Sequence, residues 1–206
     1  MPDPVNEPVK AVFFDIGNVL VRFDSAGLMK DFALAAGSSP WRVARLVWSR
    51  GLVDDVERGR LSGRELYEAV REQTGYSGDY EDFRRIWCGR FRLDERAAAL
   101  FRRLARRMPA YLLSNTNELH WEHIRRRYAF AREAAGAVLS FEAKARKPEA
   151  AIYEAAVRAA GAAPGECFFV DDSSENVKGA RAAGLKAVTF KGAARLEKDA
   201  ASLGLL

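Results

Sequence analysis

The run Ala11-Val12-Phe13-Phe14 ends in Asp15 and continues as Ile16-Gly17-Asn18-Val19-Leu20. No other stretch constrains the fold as much. An unbroken apolar run stopped by turn chemistry fits a strand covered on both faces, the condition of strands in parallel sheets. Parallel neighbours need long crossovers, usually helices, so such a strand calls for strands and helices in alternation. Asp15 would then stand at the carboxyl end of its strand, the edge where open α/β sheets bind ligands. A lone Asp there terminates a strand as readily as it does chemistry, so the rest of the chain has to decide.

From residue 94 onward the alternation is present. The pattern predicts a helix over 94–108, a strand over 110–113 ending in Ser114-Asn115, a helix over 118–128 and a strand over 137–141. Pro148 in a first helical turn would open a helix over 149–160 that stops at Gly161. A strand over 167–170 ends in Asp171-Asp172, and a helix over 175–183, a strand over 186–190 and a helix over 193–203 follow. Near the start, Val19 to Phe23 reads as a short hairpin or flap. The intervening stretch holds only helical patterns, near 25–36, 40–50, 61–74 and 80–90. Ser62 with Glu65 three residues on forms a capping box for the third, and Gly37 and Gly75 stop the first and third. Trp41, Trp48 and Trp87 are expected in the core of this helical subdomain. The chain therefore divides into an α/β core of residues 1–23 and 92–206 and an inserted helical cap of residues 24–91, above the carboxyl edge of the sheet.

Composition narrows the partners. The 206 residues carry a formal charge of +5, with basic residues spread over most helical patterns and mixed with acids, as in Glu65, Glu68, Arg71 and Glu72. These read as solvated helix faces, and no nucleic-acid partner is expected. Cys88 and Cys167 lack the spacing of a disulfide framework or a zinc site. The first ten residues hold three prolines and no apolar segment of a signal peptide. No apolar run has the length of a membrane span, so no membrane partner is expected and a cytoplasmic location is the default. Oligomeric state is not legible.

In a parallel sheet, four strand ends would converge on one edge. They carry Asp15, then Ser114 with Asn115, then Lys147, then Asp171 with Asp172. Three carboxylates held together call for a cation among them. Oxygen donors without soft ligands point to Mg²⁺, which keeps waters and binds substrate phosphate. A lysine beside a hydroxyl–amide pair suits phosphoryl oxygens, and an Asp poised on phosphorus is a competent nucleophile.

The order Asp-x-x-x-Val, apolar-Ser-Asn, Lys-Pro, apolar-Asp-Asp resembles the haloacid dehalogenase superfamily over nearly the whole chain. Phe14-Asp15-Ile16-Gly17-Asn18-Val19, Leu113-Ser114-Asn115-Thr116-Asn117 and Arg146-Lys147-Pro148-Glu149 with Ile152-Tyr153 look most like its α-D-glucose-1-phosphate phosphatases, with the phosphatase-type domain of epoxide hydrolases close by. The resemblance implies a Rossmann-like three-layer sheet of strand order 5-4-1-2-3 with a helical cap. It implies Asp15 as nucleophile and metal ligand, Asp172 as the other direct carboxylate ligand with Asp171 close by through water, and the Gly17 carbonyl as a further metal contact. Ser114, Asn115 and Lys147 would hold the phosphate, and Asn176 would support the acidic pair from behind.

One position departs from the common pattern. The usual phosphatase motif is Asp-x-Asp, whose second Asp moves the proton; here it is Gly17. That help is typically worth about a hundred- to ten-thousand-fold. A good leaving group such as an anomeric sugar hydroxyl would not need it, and Asp24 is a candidate substitute. The histidines His120 and His123 read as surface or packing residues rather than a metal pair. Arg50, Glu57, Arg58 and Arg60 are cap residues that could meet a substrate. The expected activity is Mg²⁺-dependent hydrolysis of a small phosphate ester, plausibly a sugar 1-phosphate. A metal-free 2-haloacid dehalogenase is the alternative, and Gly17 motivates a non-catalytic binding protein as another. A phospho-acceptor receiver domain has its acidic pair after the first strand, the reverse of the order here.

Overall fold

The computed structural model describes residues 8–49 and 51–206. Five parallel strands form the central sheet: β1 (Ala11–Phe14), β4 (Ala110–Ser114), β5 (Gly136–Leu139), β6 (Cys167–Asp171) and β7 (Lys186–Thr189). They lie in the order β5-β4-β1-β6-β7, which is 5-4-1-2-3 when the sheet strands alone are counted from the other edge. A separate antiparallel pair joins β2 (Val21–Phe23) to β3 (Phe91–Leu93).

The alternation along β1 explains its unbroken apolar sequence. Val12 and Phe14 enter the apolar core on one side of the sheet, while Ala11 and Phe13 enter the core on the other. The first side is filled by α6 (Glu95–Ala105), α7 (Glu118–Arg127), α8 (Phe130–Glu133) and α12 (Ala193–Ser202), through Phe101, Ile124, Phe130 and Leu196. The second is filled by α10 (Ala150–Ala160) and α11 (Ser174–Ala182), through Ile152, Tyr153 and Val177. The short α9 (Ser140–Ala143) follows β5. The result is the three-layer α/β arrangement.

Residues between the two halves of the small β ribbon are helical: α1 (Ser25–Ala35), α2 (Pro40–Ser49), α3 (Leu52–Glu57), α4 (Gly63–Thr74) and α5 (Tyr80–Trp87). This helical block has its own apolar core, which includes Leu28, Phe32, Leu66, Val70, Phe83 and Trp87 and takes in Leu119 from α7. The capping box is formed, with the Ser62 Oγ accepting from the Glu65 N–H at 3.2 Å and the Glu65 carboxylate accepting from the Ser62 N–H at 2.7 Å. Among the described residues no helix is long and apolar enough to cross a membrane.

Several local expectations are corrected. Val21 does fold back on its neighbours, its N–H donating to the Ile16 carbonyl at 2.9 Å and its carbonyl accepting from the Asn18 N–H at 2.6 Å, but Val21–Phe23 also pairs with Phe91–Leu93, where Phe23 stacks on Phe91 at 4.8 Å. A period-based reading cannot foresee a partner some seventy residues away. The helix expected to end at 90 ends at Trp87, and α3 and α8 are additional. The strand expected to reach 141 stops at Leu139, where α9 takes over. Pro148 precedes α10 rather than occupying its first turn, since the helix begins at Ala150 with Glu149 as its N-cap. Trp87 is buried as expected, but Trp41 is 74% exposed. The Trp48 side chain and all of Arg50 lie outside the described residues.

Candidate active site

The register of the sheet brings the four motifs together. The Asp15 N–H donates to the Val170 carbonyl at 2.9 Å, which sets the end of β1 level with the end of β6 and the Asp171-Asp172 pair. Asp15, Asp171 and Asp172 can each offer a carboxylate oxygen such that the three lie within 4.8 Å of one another. Beneath them stands Lys147, whose Nζ lies 2.8 Å from Asp15 Oδ1 and 2.6 Å from Asp171 Oδ2 and donates to the Leu113 carbonyl at 3.0 Å. All three ammonium hydrogens thus have partners, and the side chain is 1% exposed. The Asp15 Oδ1 also accepts from the Ile16 N–H at 2.7 Å.

The two adjacent aspartates are not equivalent. Asp171 is fully buried, and its oxygens accept from Lys147, from the Ser173 N–H at 2.8 Å and from the Asn176 amide at 3.0 and 3.1 Å. Asp172 is exposed and lines the cavity. Asn176 therefore holds Asp171, the buried member of the pair. Ser114 is buried at the cavity wall. Asn115 lines the cavity, but its side-chain amide faces Lys147: Oδ1 accepts from the Lys147 N–H at 2.8 Å, and Nδ2 donates to the Lys147 carbonyl at 3.0 Å. Its amide locks the loop that carries the lysine, so the part expected to grip phosphate is already engaged. The loop after β4 is likewise tied to α9, with Ser140 Oγ accepting from the Thr116 N–H at 2.9 Å and donating to the Thr116 carbonyl at 3.0 Å.

Burial dominates the electrostatics. It raises the Asp15 carboxyl to about 7, against the pull of Lys147 and with the help of the Asp171 charge. Burial also acts on Lys147, but the carboxylates of Asp15 and Asp171 outweigh it and hold the ammonium above its usual range. Burial and the neighbouring Asp171 charge thus both work against ionisation of Asp15, with Lys147 opposing them.

Above this floor lies a cavity of about 330 Å³ whose lining includes Asp15, Gly17, Ser114, Asn115 and Asp172. Its remaining wall has an apolar part, Ile16, Phe23, Leu28, Val53, Trp87, Phe91 and Ile124, and a polar part that includes Asn18, Ser25, Thr116 and Asn117. His120 is in this wall, which the sequence did not indicate. Its Nε2–H donates to the Trp87 carbonyl at 3.1 Å and its Nδ1 accepts from the Asn117 amide at 3.1 Å, a tautomer assigned from these partners. The ring stacks on Trp87 at 5.2 Å, and burial lowers its pKa to about 4. Its role is packing, with no metal-binding group formed by the two histidines among the described residues. Asp24 is not a cavity residue: it caps α1 by accepting from the Gly27 N–H at 2.8 Å. Glu57 does line the cavity, whereas Arg58 and Arg60 turn to neighbouring acids.

Those acids belong to an ion-pair network that seats α3 and the loop after it on the core. Arg146 reaches Asp54 at 2.5 Å and Glu57 at 2.7 Å, and Arg58 reaches Glu149 at 2.5 Å. Burial would push Asp54 up, but hydrogen bonds from Arg146, Arg60 and Arg58 hold it below the usual carboxylate range. Gly59 makes the close approach possible. It has φ +61°, and a Cβ there would fall on the Phe141 carbonyl and the Lys144 ammonium. Lys144 Nζ instead donates to the Gly59 carbonyl at 2.9 Å.

A Rossmann-like sheet with an Asp-ended first strand and a Lys-neutralised acidic cluster at its carboxyl edge defines a class, and comparison with known proteins agrees. The chain belongs to the haloacid dehalogenase-like hydrolases, which it matches over residues 9–184. It is 27% identical over 183 residues to the sesquiterpene phosphatase astK of Aspergillus oryzae, covering 85% of this chain and 87% of that protein. A HAD family enzyme of Bacteroides thetaiotaomicron, solved in complex with magnesium and inorganic phosphate, superposes with a TM-score of 0.80 at 27% identity, over 89% of this chain and 94% of that one. The L-2-haloacid dehalogenase of Xanthobacter autotrophicus shares the fold, with a TM-score of 0.65 at 18% identity over 94% of this chain and 83% of that one.

Proposed function

We propose that the protein is a Mg²⁺-dependent phosphatase that hydrolyses a small phosphate monoester through an aspartyl-phosphate on Asp15, with the helical block acting as a cap over the site. The carboxylate cluster around Lys147 carries the reading. Its three aspartates outnumber its one ammonium, and one of them, Asp172, is open to the cavity. An all-oxygen donor set with surplus negative charge fits Mg²⁺. Asp15, Asp172 and the Gly17 carbonyl would hold the ion, with Asp171 behind them. When bound, Mg²⁺ would neutralise phosphoryl oxygens and favour in-line transfer.

The chain's own groups do the rest. The Ile16 N–H and Lys147 hold Asp15 Oδ1, which leaves the other carboxylate oxygen to attack phosphorus. Ser114 offers a hydroxyl to the phosphate. Lys147 supplies fixed positive charge under the reacting oxygens, and Asn115 keeps its loop in place. Asp171 and Asn176 hold the lysine from behind. A metal-free dehalogenase is disfavoured because Asp171 and Asp172 would repel a substrate carboxylate.

The expected hexose 1-phosphate remains one candidate ester. The apolar wall of Phe23, Leu28, Val53, Trp87 and Phe91 favours a second, a monoester of an apolar alcohol, in keeping with the sesquiterpene phosphatase relative. Phosphate release from an aryl phosphate, an α-hexose 1-phosphate, its 6-phosphate isomer and an isoprenoid monophosphate, each with Mg²⁺ and with chelator, tests the reading. Mg²⁺-dependent turnover is expected, fastest on the isoprenoid ester. Turnover that survives chelation would sink the metal-dependent mechanism.

A pH dependence follows from Asp15. Its carboxyl holds a proton in the metal-free fold up to about pH 7 but loses it near 3.8 in the unfolded chain. The unfolded state therefore binds fewer protons between those values, and the metal-free fold loses stability through this group as pH rises through that window. Mg²⁺ competes with that proton and relieves the charge. The rise in Tm on adding saturating Mg²⁺ is expected to grow from about pH 5 to about pH 8 and to level off above that. Thermal unfolding at constant ionic strength measures it, and a shift that is flat with pH counts against Asp15 as a ligand.

A further inference from the structure

The cavity has four titratable side chains in its lining: Asp15, Glu57, His120 and Asp172. Asp15 and Asp172 have roles in the reading above. His120 has both ring nitrogens engaged and is neutral. Glu57 has none. It is the last residue of α3 and enters the cavity from the helical block, not from the sheet.

The surroundings of Glu57 are unusual for a structural carboxylate. Its Oε2 is buried and accepts no hydrogen bond among the described residues. Arg146 Nη2 lies 2.7 Å away, close enough for an ion pair but not aligned for a hydrogen bond. The guanidinium is aimed elsewhere: Nη1 donates to Asp54 Oδ1 at 2.5 Å, and Nε is also left without a partner. A buried carboxyl that lacks directed donors favours its protonated form. Burial accordingly pushes Glu57 above the usual carboxylate range, ahead of the opposing pull of Arg146. At the same time the position that usually supplies a proton is vacant of any acid. Gly17 lines the cavity, and a Cβ there would meet nothing within 4 Å.

We infer that Glu57 is the proton donor to the leaving group, supplied by the helical block in place of the acid that Gly17 lacks. The inference rests on the phosphatase reading. In the first step an Asp15 oxygen bonds to phosphorus, the bond from phosphorus to the ester oxygen breaks, and the Glu57 proton passes to that oxygen, which releases the alcohol. In the second, water attacks phosphorus, the Glu57 carboxylate accepts its proton, and the bond to Asp15 breaks. Inorganic phosphate leaves, and both carboxyl groups return to their starting states. A proton donor matters in proportion to the basicity of the leaving oxygen. Glu57 therefore makes alkyl esters substrates, including esters whose alcohols the apolar wall would accept.

The test is a leaving-group comparison with Mg²⁺ present. Single-turnover release of alcohol is followed for p-nitrophenyl phosphate and for a simple alkyl phosphate, in the wild type and in Glu57→Gln. The variant is expected to lose about 100- to 10,000-fold on the alkyl ester and less than about tenfold on the nitrophenyl ester. Adding Gly17→Asp to the variant is expected to recover much of the alkyl rate, because the open space there admits the side chain. Equal losses on both esters, or no loss on either, overturn the proposal, since an ion pair that only seats the loop on Arg146 would not discriminate between leaving groups. A wild type inert toward both esters fails the phosphatase reading instead. If Glu57→Gln does not fold, Glu57→Asp gives the same comparison with a shortened reach.

Discussion

Asp15→Asn is expected to abolish Mg²⁺-dependent phosphate release, by at least about a thousandfold on any ester the wild type turns over. The amide keeps the shape of the side chain but is no nucleophile and a poor ligand for a hard cation. The same substitution is expected to stabilise the metal-free protein above pH 7. Asp15 and Asp171 share one ammonium, and burial already raises the Asp15 carboxyl to about 7. Removing that charge relieves like-charge repulsion and desolvation together. Activity assays and urea denaturation in chelator check the two halves. An Asp15→Asn protein with wild-type turnover would remove Asp15 from the chemistry. One that is less stable at pH 8 would show the carboxylate to be structural.

Lys147→Met should have the opposite effect on the fold. The ammonium is buried and held by two carboxylates and a carbonyl. Deleting it leaves Asp15 and Asp171 facing each other without a counter-ion, a loss of about 3–5 kcal/mol. Phosphatase activity is expected to vanish with it. The penalty should shrink at pH 5, where the carboxyl pair takes up a proton, and should shrink with Mg²⁺, which replaces the missing charge. Denaturation at pH 5 and pH 8, with and without Mg²⁺, resolves these contributions. A loss below about 1 kcal/mol at pH 8 would mean that Lys147 is not the internal counter-charge.

The sequence revealed the sheet more fully than the site, for physical reasons. Strands such as 11–14 and 167–171 are buried on both faces, so their continuous apolar residues announce them, and the polar residue that ends each run marks the active edge. The pairing of Val21–Phe23 with Phe91–Leu93 was not legible, because three-residue strands have too little pattern to name a distant partner. Asp15, Asp171 and Asp172 could be brought together on topology alone, since parallel strands share one carboxyl edge. The direction of a side chain is a different matter. Asn115 sits at the expected place, yet its amide is turned to the Lys147 backbone. Glu57 was one of four cap residues expected near a substrate, but which of them lines the cavity depends on how the helical block packs, as does the burial of His120 on α7 against Trp87.

The reciprocal amide bonds between Asn115 and the Lys147 backbone have a mechanical consequence. They rivet the tip of one strand to the loop before α10, so the lysine, its acids and the floor of the cavity are braced as one unit. The neighbours of that rivet, Arg146 and Glu149, are the residues that grip α3 and the loop after it. Parting the helical block from the sheet edge at this point would separate charges that flank Lys147 itself. The clasp on the helical block and the seat of the buried lysine are thus one segment, four residues long.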